Sequence, residues 1–250
     1  MSCVLRSGAG LAAAMIFCTA ALADGDAPKE PPSDPTFLFF AGTDLFSAYN
    51  EPQLYGAFAD AGGIWAPAGL DHDGFGIKLL ASGGIYTYPS DGLHTNVRVT
   101  QLSGSVLPGW RMNDNDAFIG FYVGPVVQDY KLSPYDPKSL LRGFHVGAQL
   151  SVDGWYQPVQ PMMLAFDASV ASIALIGSAR VATGWQISES FFLGPEAQAL
   201  WCIDYHEWRL GAHITAFRFG GIEWAVAAGA AYDSFNRLGP YLRAGIVLRY

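Results

Sequence analysis

The last ten residues, Tyr241 to Tyr250, alternate with a period of two that sorts side chains by polarity. Leu242, Ala244, Ile246, Leu248 and Tyr250 fall on one face; Tyr241, Arg243, Gly245, Val247 and Arg249 fall on the other. Successive side chains of a strand point to opposite sides. The segment therefore reads as a strand with an apolar medium on one side and a more polar one on the other. A terminal strand of a soluble β-protein satisfies that pattern. So does the closing strand of a membrane barrel, which has lipid on one face and a polar lumen on the other. The rest of the chain has to decide between them.

The N-terminus gives the first decision. Arg6 is the only charge before an apolar run from Leu11 to Leu22, and Ala21-Leu22-Ala23 is an A-x-A cleavage pattern. That combination reads as a secretory signal peptide, residues 1–23, cleaved after Ala23; the run is too short for a spanning helix. Phe17 before Cys18 is too large for lipoprotein processing. Removal of Cys3 and Cys18 leaves Cys202 as the one cysteine of the mature chain. An exported chain with a single thiol has no internal disulfide framework to stabilise it.

Residues 24–35, rich in Pro, Asp and Gly, have nothing to bury and read as a flexible periplasmic lead-in. The remainder, 36–250, is rich in Gly and aromatics and poor in Lys, without an apolar window long enough for a spanning helix. A formal net charge of −8 argues against nucleic acid as a partner. Export, scarce charge and abundant Gly, Tyr, Trp and Phe together describe an outer-membrane barrel.

Alternating segments recur. Phe144, Val146, Ala148, Leu150 and Val152 oppose His145, Gly147, Gln149 and Ser151. Met162, Leu164, Phe166, Ala168 and Val170 oppose Asp167 and Ser169. Trp208, Leu210, Ala212 and Ile214 oppose Arg209, Gly211, His213 and Thr215. Phe191, Leu193, Ala197, Ala199 and Trp201 oppose Glu196, Gln198 and Asp204. The polar faces carry Gly and single charges, as a crowded lumen would, where a soluble sheet would show Lys, Glu and Thr in quantity. Tight links at 112–116, 157–161, 188–190 and 220–221 alternate with longer ones at 88–93, 131–139 and 234–239. An antiparallel barrel with both termini in the periplasm produces that alternation. The expected fold is an all-β transmembrane antiparallel barrel of about twelve strands, with ten or fourteen as alternatives. Aromatics near segment ends, among them Phe39, Phe40, Phe46, Tyr88, Trp110, Tyr130, Trp185, Trp208, Trp224 and Tyr232, read as interfacial girdles or as stacking platforms inside the pore. The terminal aromatic also resembles the assembly signal of bacterial outer-membrane proteins.

Several strings go beyond barrel grammar: Val106-Leu-Pro-Gly-Trp-Arg111, Leu132-Ser-Pro-Tyr-Asp-Pro137 followed by Leu141-Arg-Gly143, Trp155-Tyr-Gln-Pro158 and Gly194-Pro-Glu-Ala-Gln198. Asp44-Leu45, Gly69-Leu-Asp71 with Gly74-Phe75, and Glu223-Trp224 accompany them. In order and spacing, from about Phe39 onward, they resemble the BcsS family, a cellulose biosynthesis protein of alphaproteobacteria. Tyr at the C-terminus and Gln157 in the Trp-Tyr-x-Pro turn depart mildly from its pattern. The resemblance implies an outer-membrane protein working with a cellulose-synthesis system. It supplies no residue with an established ligand.

An enzyme reading needs a nucleophile. Barrel lipid hydrolases use a His-x-Ser pair, because residues i and i+2 share a face; the nearest echo here is His213-x-Thr215, and threonine is a poor substitute. His72, His94, His145 and His206 lie on four segments without ligand spacing, so no metal is expected. Asp153, Asp167, Glu196 and Asp204 could form a glycosidase pair. Arg142, Arg180, Arg209 and Arg243 would share the same lumen, however, and Arg–carboxylate pairs are the usual way to satisfy such charges. Asp71-His72-Asp73-Gly74 lacks calcium-loop spacing and reads as a turn before a strand.

The expected protein is therefore a non-enzymatic outer-membrane accessory to cellulose production, a conduit or a scaffold, with no catalytic residue, metal or cofactor. An outer-membrane enzyme acting on lipid or polysaccharide, and a structural or adhesive barrel unrelated to cellulose, are the alternatives. Expected partners are outer-membrane lipid, a glucan chain and components of the cellulose-synthesis complex. Trp155, Tyr86, Gln149 and Gln198 are the candidate glucan contacts, since aromatic faces and amides suit sugar rings. Arg142, Asp153, Asp167, Arg180, Glu196 and Arg209 are the expected lumen charge network.

Overall fold

The computed structural model describes residues 35–49, 55–90, 92–114, 116–188, 191–203, 205–219 and 221–250. The expected signal peptide 1–23, all of the lead-in but Pro35, and Asp204 lie outside the described residues. Twelve strands follow in order: β1 (Phe37–Ser47), β2 (Tyr55–Trp65), β3 (Gly74–Ser90), β4 (Thr95–Asp114), β5 (Ala117–Ser133) and β6 (Gly143–Val159). The second half comprises β7 (Met162–Ala171), β8 (Gly177–Ser188), β9 (Phe191–Cys202), β10 (Tyr205–Phe219), β11 (Ile222–Asp233) and β12 (Leu238–Arg249). Each pairs antiparallel with its neighbours in sequence, and β12 pairs with β1, so the sheet closes without an edge. Among the described residues no helix is long and apolar enough to cross a membrane.

The closing seam is where the terminal alternation is realised. Asp44 opposes Arg243, Leu45 opposes Leu242, and Phe37 and Tyr250 exchange both backbone hydrogen bonds at 2.8 Å. The Tyr250 ring meets Phe39 edge-on at 6.1 Å between centroids. Tyr241 is buried inward while Leu242 is exposed outward.

Leu79, Leu102, Val123, Val146, Leu150 and Leu210 are all exposed on the outside of the wall. In water so continuous an apolar surface would aggregate; in hydrocarbon it is the required surface, because the closed ladder already satisfies the backbone. Trp65, Phe75, Trp110, Phe121, Tyr156, Trp185 and Trp224 ring the outer wall toward the end that carries both described termini, forming a girdle. Phe40, Phe46, Tyr88 and Tyr130 instead turn inward and pack against core side chains.

At the terminus end the links 115–116, 160–161, 189–190 and 220–221 are two residues each, and the link 66–73 is longer. Links at the opposite end are mostly longer, with 134–142 the longest. The 66–73 link folds into the barrel mouth. Ala66 and Leu70 are buried against Ile64, Leu107 and Tyr122, and Leu70 N–H donates to the Pro35 carbonyl at 2.7 Å. Asp73 and the His72 carbonyl accept from Asn113 at 2.5 Å each, so Asp71-His72-Asp73-Gly74 serves as a turn. At the other mouth Leu141, Ile173 and Ile176 pack inward on Val126, Val97 and Tyr130.

Register shifts also occur near the ends of β6 and β8, but the one in β10 re-aims an inward side chain. The register of β10 against β11 shifts between Ile214 and Phe217, with Ala216 at φ 60°. The bulge turns Ala216 inward against Met163 and Phe192 and leaves Phe217 exposed.

Candidate functional site: the lumen

Between the two apolar mouths the inner wall carries charge. Arg209, on β10, lies at the centre of one group. Its Nη1 donates to Asp44 of β1 at 2.6 Å and its Nε to Glu207 at 2.5 Å, and the guanidinium stands 5.4 Å from the Phe46 ring centroid and 5.3 Å from that of Tyr241. The close approach is possible because Tyr241 lies against glycines. A Cβ on Gly229 would come within 2.8 Å of the ring and nearer still to the Leu210 carbonyl.

Glu196 of β9 organises a second group. Its side chain is wholly buried and accepts from Arg180 of β8 at 3.3 Å, from Tyr241 Oη at 3.4 Å and from Arg243 of β12. Arg180 also pairs with Asp167 at 2.5 Å. A third group links β3 to β6: Lys78 Nζ contacts Asp153 at 2.5 Å and Ser151 at 3.2 Å, and lies 5.3 Å from the Tyr122 ring centroid. Lys78–Asp153, Arg243–Glu196 and Arg209–Asp44 run as chords across the lumen, joining strands that are not neighbours, whereas Arg180 binds carboxylates on the two strands beside its own. The register also sets Asp153 beside Asp167 on adjacent strands. Each of those carboxylates is held by a different cation, which is the arrangement that satisfies charges in a low-dielectric interior.

The structure thus gathers Asp153, Asp167, Arg180, Glu196 and Arg209 on the inner wall. Arg142 departs from the expected lumen position. It precedes Gly143, where β6 begins, and from the 134–142 link it donates to the carbonyls of Pro137 and Ser139. Lys78, Asp44, Glu207 and Asp60 belong to the inner wall as well; of these only Asp44 falls in one of the family strings, which gives it no lumen role. The alternations Gly42-x-Asp44-x-Phe46 and Phe58-x-Asp60-x-Gly62 carry the signal for two of them.

Asp60 of β2 is the exception to pairing. Its carboxylate lies over Gly42 on the inner wall, where a Cβ on that glycine would be 3.0 Å from Oδ1. It is exposed even so, and among the described residues no ion pair holds it. Asp167 is likewise 41% exposed on its side chain. Water therefore reaches the middle of the lumen.

The four candidate glucan contacts do not come together. Trp155 packs edge-on against Phe192 at 5.5 Å, among Met163 and Ala165 toward the terminus end. Gln198 accepts from Arg209 at 3.4 Å, and Gln149 is half-buried on β6. Tyr86 alone joins a ring series, Phe46–Phe58–Tyr86–Tyr88, with successive centroids 6.5, 6.2 and 6.5 Å apart. His213 is buried with Nε2 3.2 Å from the Thr183 carbonyl, and the bulge begins directly after its neighbour Ile214. Among the described residues no group of three or more His, Cys, Asp or Glu could hold a metal.

Comparison with known proteins places this geometry. The fold is similar to the deltaS2 mutant of the TodX monoaromatic hydrocarbon channel, at TM-score 0.52 and 10% identity over 86% of this chain and 90% of that one. It is also similar to the beta domain of the Bordetella autotransporter BrkA, at TM-score 0.50 and 15% identity over 87% of this chain and all of that one. At such identities the likeness shows the fold alone, a barrel of the outer-membrane kind. No curated protein sequence matches. Residues 38–250 match the sequence model described as cellulose biosynthesis protein BcsS, and the chain belongs to that family.

Proposed function

We propose that this chain is a non-enzymatic outer-membrane barrel that serves cellulose production as a scaffold at the export site. In this reading the end with the short links and the termini faces the periplasm, and the interior engages glucan without standing open as a pore. Membership of a cellulose biosynthesis family gives the process. The observation that carries the scaffold reading is the set of chords across the lumen: Lys78–Asp153, Arg243–Glu196 and Arg209–Asp44, with apolar side chains packed at both mouths. A permanently open porin would leave those spans clear.

A conduit is the second reading, and the water-accessible Asp60 and Asp167 favour it. Planar-bilayer recording of the purified barrel separates the two. The scaffold reading expects no steady conductance at rest; a large, steady, porin-like conductance overturns it in favour of the conduit. The enzyme reading is supported by neither a His-x-Ser pair nor a carboxylate pair free of its cations. Turnover of lipid or glucan by the purified barrel would reverse that conclusion.

A further inference from the structure

The half-buried ring series on β1–β3 has a geometry that packing alone does not require. Phe58 lies flat on the inner wall over Gly84, where a Cβ would fall 2.2 Å from the ring, and Phe46 lies the same way over Gly56. Rings laid flat on glycines present their other face to the lumen. Phe58 and Tyr86 are 6.2 Å apart between centroids and 24° from parallel, which makes a nearly continuous aromatic surface across two strands. Phe46 already carries the Arg209 guanidinium. Tyr88 is tethered through its hydroxyl, which donates to Asp136 at 3.1 Å, and Tyr86 backs onto Val97, Val99 and Tyr130. Asp60 follows Phe58 by two residues on the same face, exposed and without an ion pair among the described residues.

We propose that Phe58 and Tyr86, with Asp60 beside them, form a binding site for a β-1,4-linked glucan segment. The flat C–H faces of the sugar stack on the two rings, and the Asp60 carboxylate accepts hydrogen bonds from sugar hydroxyls. A carboxylate without an ion pair among the described residues, next to a flat apolar platform in water, matches the two surfaces of a pyranose ring: apolar above and below, hydroxylated at the edge. This assignment rests on the reading that glucan is what the barrel handles. It moves the contact away from Trp155, whose ring is taken up by Phe192.

The test is calorimetric titration of the detergent-purified barrel with cellohexaose, using maltohexaose as the α-linked control. Phe58→Leu and Tyr86→Leu keep apolar bulk and remove the flat face; Asp60→Ala removes a group that no ion pair holds among the described residues. Each variant should weaken cellohexaose binding about tenfold, with the heat-dependent shift in electrophoretic mobility reporting that the barrel still folds. Trp155→Ala should leave affinity unchanged. Absence of cellohexaose binding, equal binding of maltohexaose, or wild-type affinity in folded Asp60→Ala and Phe58→Leu overturns the assignment. If the barrel binds cellohexaose but deletion of its gene leaves cellulose untouched, the site stands and the export reading falls. If deletion alters cellulose but the barrel binds no cellohexaose, the export reading stands and the site falls.

Discussion

Replacing Glu196 with Ala tests whether the lumen chords hold this barrel together. Its side chain is wholly buried and receives Arg180, Arg243 and Tyr241. Removing one partner of a buried ion pair costs about 3–5 kcal/mol, because the cation left behind is uncompensated. Two observations pull the figure to the low end: Arg180 retains Asp167 at 2.5 Å, and the Arg243 side chain is 25% exposed to lumen water. We therefore expect a loss of about 3 kcal/mol, or a urea midpoint lower by about 1 M at a slope of roughly 3 kcal/mol/M. Glu196→Gln, which keeps an acceptor, should lose less. The control is Glu223→Ala at the terminus-end mouth of β11, whose partner Arg218 is 73% exposed at 3.8 Å and which should cost at most about 1 kcal/mol. Reversible urea unfolding in liposomes, followed by tryptophan fluorescence, gives all three values. Equal losses in Glu196→Ala and Glu223→Ala would refute the reasoning, since burial would then make no difference.

Other expectations follow from faces, ends and loops. Leu150→Arg puts a charge on the lipid side at a cost of about 2–4 kcal/mol and should block assembly, while Gln149→Arg enters the lumen and should be milder; equal or reversed defects in outer-membrane yield would mean the register is inverted. Deleting Arg249-Tyr250 removes both Phe37–Tyr250 hydrogen bonds and the Phe39 contact, so the truncated chain should accumulate unassembled; normal heat-modifiable barrel would contradict this. In the 134–142 link, hydrogen bonds from the Ser90 hydroxyl, the Lys138 amide and Tyr88 hold the Asp136 carboxyl below its ordinary value of 3.8. A depressed folded value contributes stability above that ordinary value and loses it as pH falls through the folded one. Protease cleavage of the link should thus rise below about pH 4, and Asp136→Asn should be cleaved readily at every pH; a link equally resistant at pH 3 and pH 7 would sink this.

The barrel is legible in the sequence because lipid and lumen impose a period-two sorting, as at Phe144–Val152 and Tyr241–Tyr250. What that sorting does not encode is which inward charges meet. Asp44 and Arg209 are far apart in sequence and are joined only by closure of the β1–β12 seam and the curvature behind it. Lys78 finds Asp153 across two intervening strands for the same reason. Arg142 falls outside the expected network because one residue decides whether a side chain belongs to a wall or a link, and Gly143 with φ +72° marks that corner. The β10 bulge is invisible in the sequence because Ala216 in a left-handed conformation leaves no trace in the residue type. The flat lay of Phe58 on Gly84 needs register, which alternation alone leaves open.

The central claim is that this barrel serves cellulose export and not glucose polymerisation. Deleting the gene and measuring both extracellular cellulose and glucan synthesis by isolated inner membranes tests it most directly. The account predicts reduced or altered extracellular cellulose with polymerising activity intact. Unchanged cellulose, or loss of polymerisation in the isolated membranes, would contradict it.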